Sequence, residues 1–349
     1  MLRPTFLNPA GYKENMEQVT VSGTDITASR IGLGTWAIGG WMWGGTDQEQ
    51  AIETIHAALD NGITLIDTAP VYGFGTSERI VGQAIRQHGA REDVVIATKA
   101  GLEWHDGDIH RNASPERIRT EIRASLERLQ TDYIDIYQIH WPDPLVPFQE
   151  TAAVMHELHE EGLIRAIGVS NYSPRQMDAF RQAAPLHTSQ PPYNIFERDA
   201  ENDVLPYCCE YDLTPLTYGA LCRGLLTGKM DMDTTFEGDD LRNTDPKFQP
   251  PRYRQYLEAV SRLDRLARER HDRRVLHLAV RWLLDRHDGV ALWGARKPEQ
   301  VEPVRSVMGW HLSRQDMEDI DGILDGTITQ PVGPGFMAPP ARDNARAGR

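Results

Sequence analysis

Ile63-Thr64-Leu65-Ile66-Asp67, Val94-Val95-Ile96-Ala97-Thr98-Lys99 and Tyr133-Ile134-Asp135-Ile136-Tyr137-Gln138-Ile139-His140 are three short hydrophobic runs, each ending in a titratable residue. Tyr72 follows soon after the first. β-Branched runs bounded by turn residues read as strands buried in a parallel sheet. Packing does not explain the charged ends, because an unpaired charge is costly to bury. The ends of parallel barrel strands share one face, so Asp67, Tyr72, Lys99 and His140 would meet there. An acid, a phenol, an ammonium and an imidazole in one pocket form a proton-transfer set.

Outward from these runs, strand and helix patterns alternate from residue 31 onward. Strands are expected at 31–35, 63–67, 93–99, 133–139, 164–169, 187–190, 213–218 and 290–293. Asp47 with Gln50 caps a helix that stops at Asn61-Gly62; further helices are expected at 76–87, from Ser114-Pro115, at 148–161, from Ser173-Pro174, and over 199–210, 253–270, 274–287 and 297–308. Repeated βα units with about eight strands predict an α/β fold, a single (β/α)8 TIM barrel over 18–325 with extra helices. A doubly wound sheet competes, but its Gly-rich turn after the first strand is missing; Gly32 and Gly34 fall inside that strand, and Gly39-Gly40 and Gly44-Gly45 in a Trp-rich loop.

Two departures from a plain barrel stand out. Residues 18–30 read as a β-hairpin capping the barrel floor. Residues 227–252, after strand seven, form a long polar loop with Lys229, Arg242 and Lys247 and read as a lid. Residues 1–17 are expected to be a flexible extension and 326–349 an extended tail, whose Gly335–Pro340 stretch either folds over the mouth or is disordered.

The 349-residue chain is 40% hydrophobic, enough for a large core. Its formal net charge of -14 argues against a nucleic-acid or anionic-membrane partner. Cys208, Cys209 and Cys222 show no metal-ligand spacing and suit a reducing compartment, so no metal is expected. With no apolar leader in Met1–Glu17 and no run of membrane-spanning length, a cytoplasmic location is expected.

Lys99 has two readings, a Schiff-base nucleophile or a cation that tunes a neighbour. Asp67 would keep it charged, and the Tyr72 phenol, with a free pKa of about 10, needs a nearby ammonium to act near neutrality. His140 could orient the same substrate oxygen. Taken singly, Asp67 could cap a turn, Lys99 could lie on the surface and His140 could be a satisfied core histidine. Marks of a hydride donor appear elsewhere: amide and hydroxyl groups at Ser170-Asn171 and Gln190, a flat ring at Tyr218, and a phosphate-type loop from Gly219 to Lys229. Arg296 and Lys297, opening a helix after the last strand, could grip a 2′-phosphate.

Gly32-Leu33-Gly34-Thr35-Trp36, Asp67-Thr68-Ala69-Pro70-Val71-Tyr72-Gly73, Thr98-Lys99, Gln138-Ile139-His140-Trp141-Pro142 and Ile167-Gly168-Val169-Ser170-Asn171 together resemble the aldo-keto reductases. The stretches 218–229 and 294–300 resemble its bacterial branch, related to the general-stress, inositol-operon and glycerol-dehydrogenase-like members. The resemblance implies a barrel that binds NADP(H) across its top, with NAD(H) use also open, and reversible hydride transfer between nicotinamide and an aldehyde, ketone or polyol. It implies Tyr72 as general acid/base, Lys99 and Asp67 as its tuning pair, and His140 as the residue orienting the carbonyl. Gly34, Thr35, Trp36, Asp67, Ser170, Asn171 and Gln190 match the nicotinamide end. Tyr218, Gly219, Leu221, Arg223, Gly224 and Lys229 match the middle, and Gly294, Arg296 and Gln300 the adenosine phosphate. Pro303-Val304 departs from the family's adenine-contacting Glu-Asn pair.

Trp36, Trp43, Trp104 and Trp141 are expected to wall a pocket for a small carbonyl or alcohol, in a monomer or small homo-oligomer. Two other readings stay open: a nicotinamide-sensing regulatory binding protein with little turnover, and a lyase working through Lys99.

Overall fold

The computed structural model describes residues 16–89 and 91–342. Most of the expected N-terminal extension, residues 1–15, and the end of the expected tail, 343–349, lie outside the described residues. Eight strands close a barrel: β1 Ile31–Gly34, β2 Leu65–Asp67, β3 Val95–Ala100, β4 Ile134–Ile139, β5 Ile164–Ser170, β6 Thr188–Gln190, β7 Thr214–Thr217 and β8 Val290–Gly294. Every pairing is parallel, including β8 with β1, so all carboxyl ends share one rim. Gly34 pairs with both Asp67 and Gly294, which sets Asp67 beside a residue without a side chain. Barrel β1–β8 therefore matches the TIM barrel expected from the runs.

Helices cover the outside as their apolar stripes dictate. Ser114 caps Pro115–Leu129 by accepting from Arg117 N, and that helix buries Ile118, Ile122 and Leu129. The expected floor hairpin forms from Gln18–Thr20 and Thr27–Ser29. Its Val21, Ile26 and Ala28 are buried with Leu65, Val95, Leu216 and Val290, which lie at or near the amino ends of barrel strands, and Thr214 Oγ1 accepts from Ser22 N at 2.9 Å. The floor is thus plugged by side chains, opposite the rim.

Four expectations change. Residues 297–308 form two 3₁₀ turns, Pro298–Gln300 and Glu302–Val307, because Pro303 lacks the amide a continuous helix needs. Residues 199–210 break at Asp203, whose carboxylate caps Val204–Glu210. A second hairpin, Leu102–His105 with Asp108–Arg111, stands at the mouth, turned by Asp106 and Gly107 at φ 50° and 91°. Ahead of the tail Arg314–Thr327 forms a helix that was not expected, and the tail itself is not simply extended: Gly335–Met337 makes a turn and Ala341 bridges Arg111.

Candidate active site

Strand ends deliver the four catalytic candidates to one place. Lys99, next to last in β3, is fully buried. Its Nζ donates to Asp67 Oδ1 at 2.6 Å, to the Thr68 carbonyl at 2.9 Å and to Tyr72 Oη at 3.4 Å. Asp67 closes β2; its other oxygen accepts from Gln190 Nε2 at 2.8 Å and Gln138 Nε2 at 3.5 Å. Gln138 has room inside the barrel because Gly168 faces it: a Cβ there would lie 2.7 Å from Gln138 Cγ. Tyr72 is carried on a loop pressed against the Trp36–Gly39 turn, where a Cβ on Gly39 would come within 2.6 Å of the Tyr72 carbonyl. The loop is therefore fixed backbone to backbone.

Tyr72 stacks on Trp36 with ring centroids 5.9 Å apart and meets the His140 ring edge-on at 5.8 Å. Burial, followed by the Lys99 charge, holds His140 well below the ordinary histidine range, so its imidazole is neutral near pH 7. Burial and the Asp67 carboxylate raise Tyr72 well above the ordinary tyrosine range. That direction is opposite to the expected acidification by Lys99, whose ammonium is engaged at shorter range by Asp67 and Thr68 than by Tyr72. Burial thus favours the protonated phenol of Tyr72.

Every cofactor residue implied by the resemblance, from Gly34, Thr35 and Trp36 through Arg296 and Gln300, lines one cavity of about 780 Å³ above this cluster. At the barrel axis Tyr218 Oη donates to Asn171 Oδ1 at 2.9 Å, Asn171 Nδ2 to the His140 carbonyl at 3.0 Å, and Ser170 Oγ to the Gln190 carbonyl at 2.8 Å. The cavity fits a dinucleotide. Gly294 opens onto it with no heavy atom near a Cβ position, Trp36 Nε1 and Trp43 Nε1 are buried donors without partners, and Lys229, Arg242, Arg274 and Arg296 line the far end. Arg274 was not legible from the sequence, and nothing in its local pattern marks it.

Three expected contributors sit differently. Lys297 is exposed and outside the lining. Arg296 lines the cavity but donates to the Trp43 carbonyl at 2.6 Å, tying the β8 loop to the Trp-rich loop. Trp104 is not in the lining; it braces the wall from behind, against Phe74 at 5.7 Å and under the Arg117 guanidinium at 5.5 Å. Trp36, Trp43 and Trp141 do line it.

The 227–252 insertion lies down rather than hanging free: Asp239 accepts from Met42 N at 2.8 Å and Gly44 N at 3.1 Å, and Leu241 N donates to the Met42 carbonyl. The tail crosses the mouth, placing Phe336, Met337, Pro339 and Pro340 in the wall. Arg111 clasps it, donating from Nε to the Pro339 carbonyl at 2.7 Å, from its backbone amide to Pro340 at 3.0 Å, and from Nη1 to the Pro142 carbonyl at 3.0 Å. Arg342 adds an ion pair to Asp143 at 3.1 Å.

A model of the aldo/keto reductase family matches residues 30–325. Aldo-keto reductase YhdN of Bacillus subtilis is 61% identical over 329 residues, 94% of this chain and 99% of the relative. The NADH-specific methylglyoxal reductase of Escherichia coli is 40% identical, over 86% of this chain and 96% of that one. The solved structure of glycerol dehydrogenase AKR11B4 from Gluconobacter oxydans superposes with a TM-score of 0.84 at 52% identity, covering 92% of this chain and 99% of that one.

Proposed function

The chain belongs to the aldo/keto reductase family, and on that premise we propose that it is an NADP(H)-dependent oxidoreductase that interconverts a carbonyl and its alcohol, with Tyr72 as general acid/base. The observation that carries this reading is the Asp67–Lys99–Tyr72 chain of contacts beside a neutral His140. A bound reduced nicotinamide supplies the hydride. The protein supplies the proton: Tyr72 Oη donates it to the carbonyl oxygen, His140 hydrogen-bonds that oxygen, and the Lys99 ammonium 3.4 Å away faces the phenolate left behind. Lys99 is poorly placed as a Schiff-base nucleophile, since its Nζ is committed to three acceptors, one of them the Asp67 carboxylate, which opposes the loss of charge that burial favours.

Gly34, Thr35, Trp36, Ser170, Asn171 and Gln190 would hold the nicotinamide end, and Lys229, Arg274 and Arg296 favour a phosphorylated ribose. NAD(H) remains a second cofactor, in line with the NADH-specific enzyme among the relatives. The substrate is a small aldehyde, ketone or polyol between Trp36, Trp141 and the tail, and the glycerol dehydrogenase neighbour favours the polyol. The protein works in the cytoplasm as a monomer or small homo-oligomer; its cysteines are free, and no helix among the described residues is long and apolar enough to cross a membrane.

Tyr72→Phe tests the reading. Turnover of a small aldehyde should fall by about a thousandfold or more, while NADPH still quenches tryptophan fluorescence as in the wild type. Retained turnover would remove the phenol from the chemistry. Tight NADPH binding with no turnover of any carbonyl or alcohol by the wild type would favour the cofactor-sensing protein instead.

A further inference from the structure

Between Leu221 and Gly224 the loop after β7 carries three consecutive left-handed residues, Cys222, Arg223 and Gly224, at φ 45°, 55° and 92°. Two of them have side chains, and such residues avoid this region unless their surroundings impose it. Gly219, Leu221, Arg223 and Gly224 from this loop all face the cavity.

Beneath the loop lies a buried quartet of charges drawn from three places in the chain. Arg223 donates from Nε to Asp245 Oδ2 and from Nη2 to Glu197 Oε1, both at 2.5 Å. Lys247 Nζ is 2.7 Å from the same Glu197 oxygen and 4.0 Å from Asp245 Oδ1. All four residues are buried, and their formal charges cancel. Glu197 follows β6, Arg223 belongs to the loop, and Asp245 and Lys247 come from the insertion, where Asp245 also accepts from the Lys247 amide at 2.9 Å. Asn194, whose side-chain nitrogen donates to Glu197 at 2.7 Å and to the Gly219 carbonyl at 3.0 Å, ties the quartet to the start of the same loop.

Arg223 would ordinarily be taken as a cationic phosphate ligand. Two carboxylates compensate its charge, so a phosphate gains little Coulomb attraction from it. We infer that Arg223, Glu197, Asp245 and Lys247 are positioning residues: the quartet locks the 219–224 backbone in its left-handed path, where Cys222 N and Gly224 N donate back to the Gly219 and Leu221 carbonyls, so that the other amides of the loop face the dinucleotide pyrophosphate, and the insertion is the foundation of that loop. The inference rests on the NADP(H) reading.

The two roles predict opposite signs. Asp245→Asn keeps the shape of the side chain but removes one negative charge. If Arg223 were a direct ligand, a less compensated guanidinium would bind the cofactor more tightly. A positioning role requires the reverse: the NADPH dissociation constant, read by tryptophan quenching on the full-length protein, rises about tenfold or more, while kcat at saturating NADPH is kept. Glu197→Gln should behave alike. Unchanged or tighter binding overturns the inference. So does loss of kcat or of the fold in both variants, which would show that the quartet holds the barrel and not the loop. Wild-type protein that fails to quench with NADPH would instead sink the cofactor reading itself.

Discussion

The two ends of the cavity are built on different plans. At the catalytic end, Asp67 and Lys99 belong to strands β2 and β3, His140 directly follows β4, and Tyr72 sits on a loop pinned by Gly39. At the end proposed for the phosphates, Arg223, Lys229, Arg274 and Arg296 come from loops and helix starts, and Arg223 and Arg296 are engaged by other protein groups. The first end gets its geometry from the barrel hydrogen-bond ladder. The second gets it from ion pairs and loop-to-loop bridges, which can be altered without touching the barrel. Chemistry and cofactor affinity should therefore separate under mutation.

Lys99→Met strikes at the ladder end and should have the largest effect after loss of the Tyr72 hydroxyl. It leaves the Asp67 carboxylate buried with only two amide donors, so stability should drop by about 3–5 kcal/mol. In parallel, kcat should fall about a hundredfold or more; a melting curve and steady-state kinetics check both, and near-normal turnover would break the contrast. Arg296→Ala probes the other end. NADPH should bind about tenfold more weakly with NADH nearly unaffected and kcat retained. Equal weakening of both would mean that Arg296 serves only to brace the Trp43 carbonyl.

The smallest effect concerns pH. His287 is half-buried behind Thr217, and its pKa falls to about 3 through desolvation and the Arg30 charge. The unfolded chain takes up this proton near pH 6.5, so the folded state loses about 1.4 kcal/mol per pH unit as pH falls below that value, and the contribution is fully present above it. His140 has the same sign at the catalytic end. His287→Gln should flatten the decline of the melting temperature between about pH 6.5 and 4.5. A slope unchanged from wild type would assign the acid sensitivity to other groups.

The same contrast governs what could be read from the residues. Strand ends announce themselves, because a titratable side chain closing a β-branched run violates packing; hence Asp67, Lys99 and His140. The direction of the Tyr72 shift could not be read, since it is set first by how deeply the phenol is buried and then by the Asp67 carboxylate, and burial is settled by the fold. The mouth hairpin left a usable mark in Asp106-Gly107, a dipeptide suited to a two-residue turn, and Pro303 likewise marked the break in the 297–308 helix. The partners of Arg223 left none: Glu197 and Asp245 are distant in sequence and converge on it only in the folded chain. Trp104 shows the converse error, an aromatic in the expected loop whose ring packs behind the wall.

The clasp of Arg111 on the tail has a consequence for the history of each molecule. Segment 102–111 leaves the ribosome early, and 335–342 emerges only after every barrel strand has been made. A nascent chain can thus assemble Asp67, Tyr72, Lys99 and His140 while its mouth is still unwalled. The wall of the mouth is thus a contact between segments 228 residues apart, closed after the cluster beneath it can form.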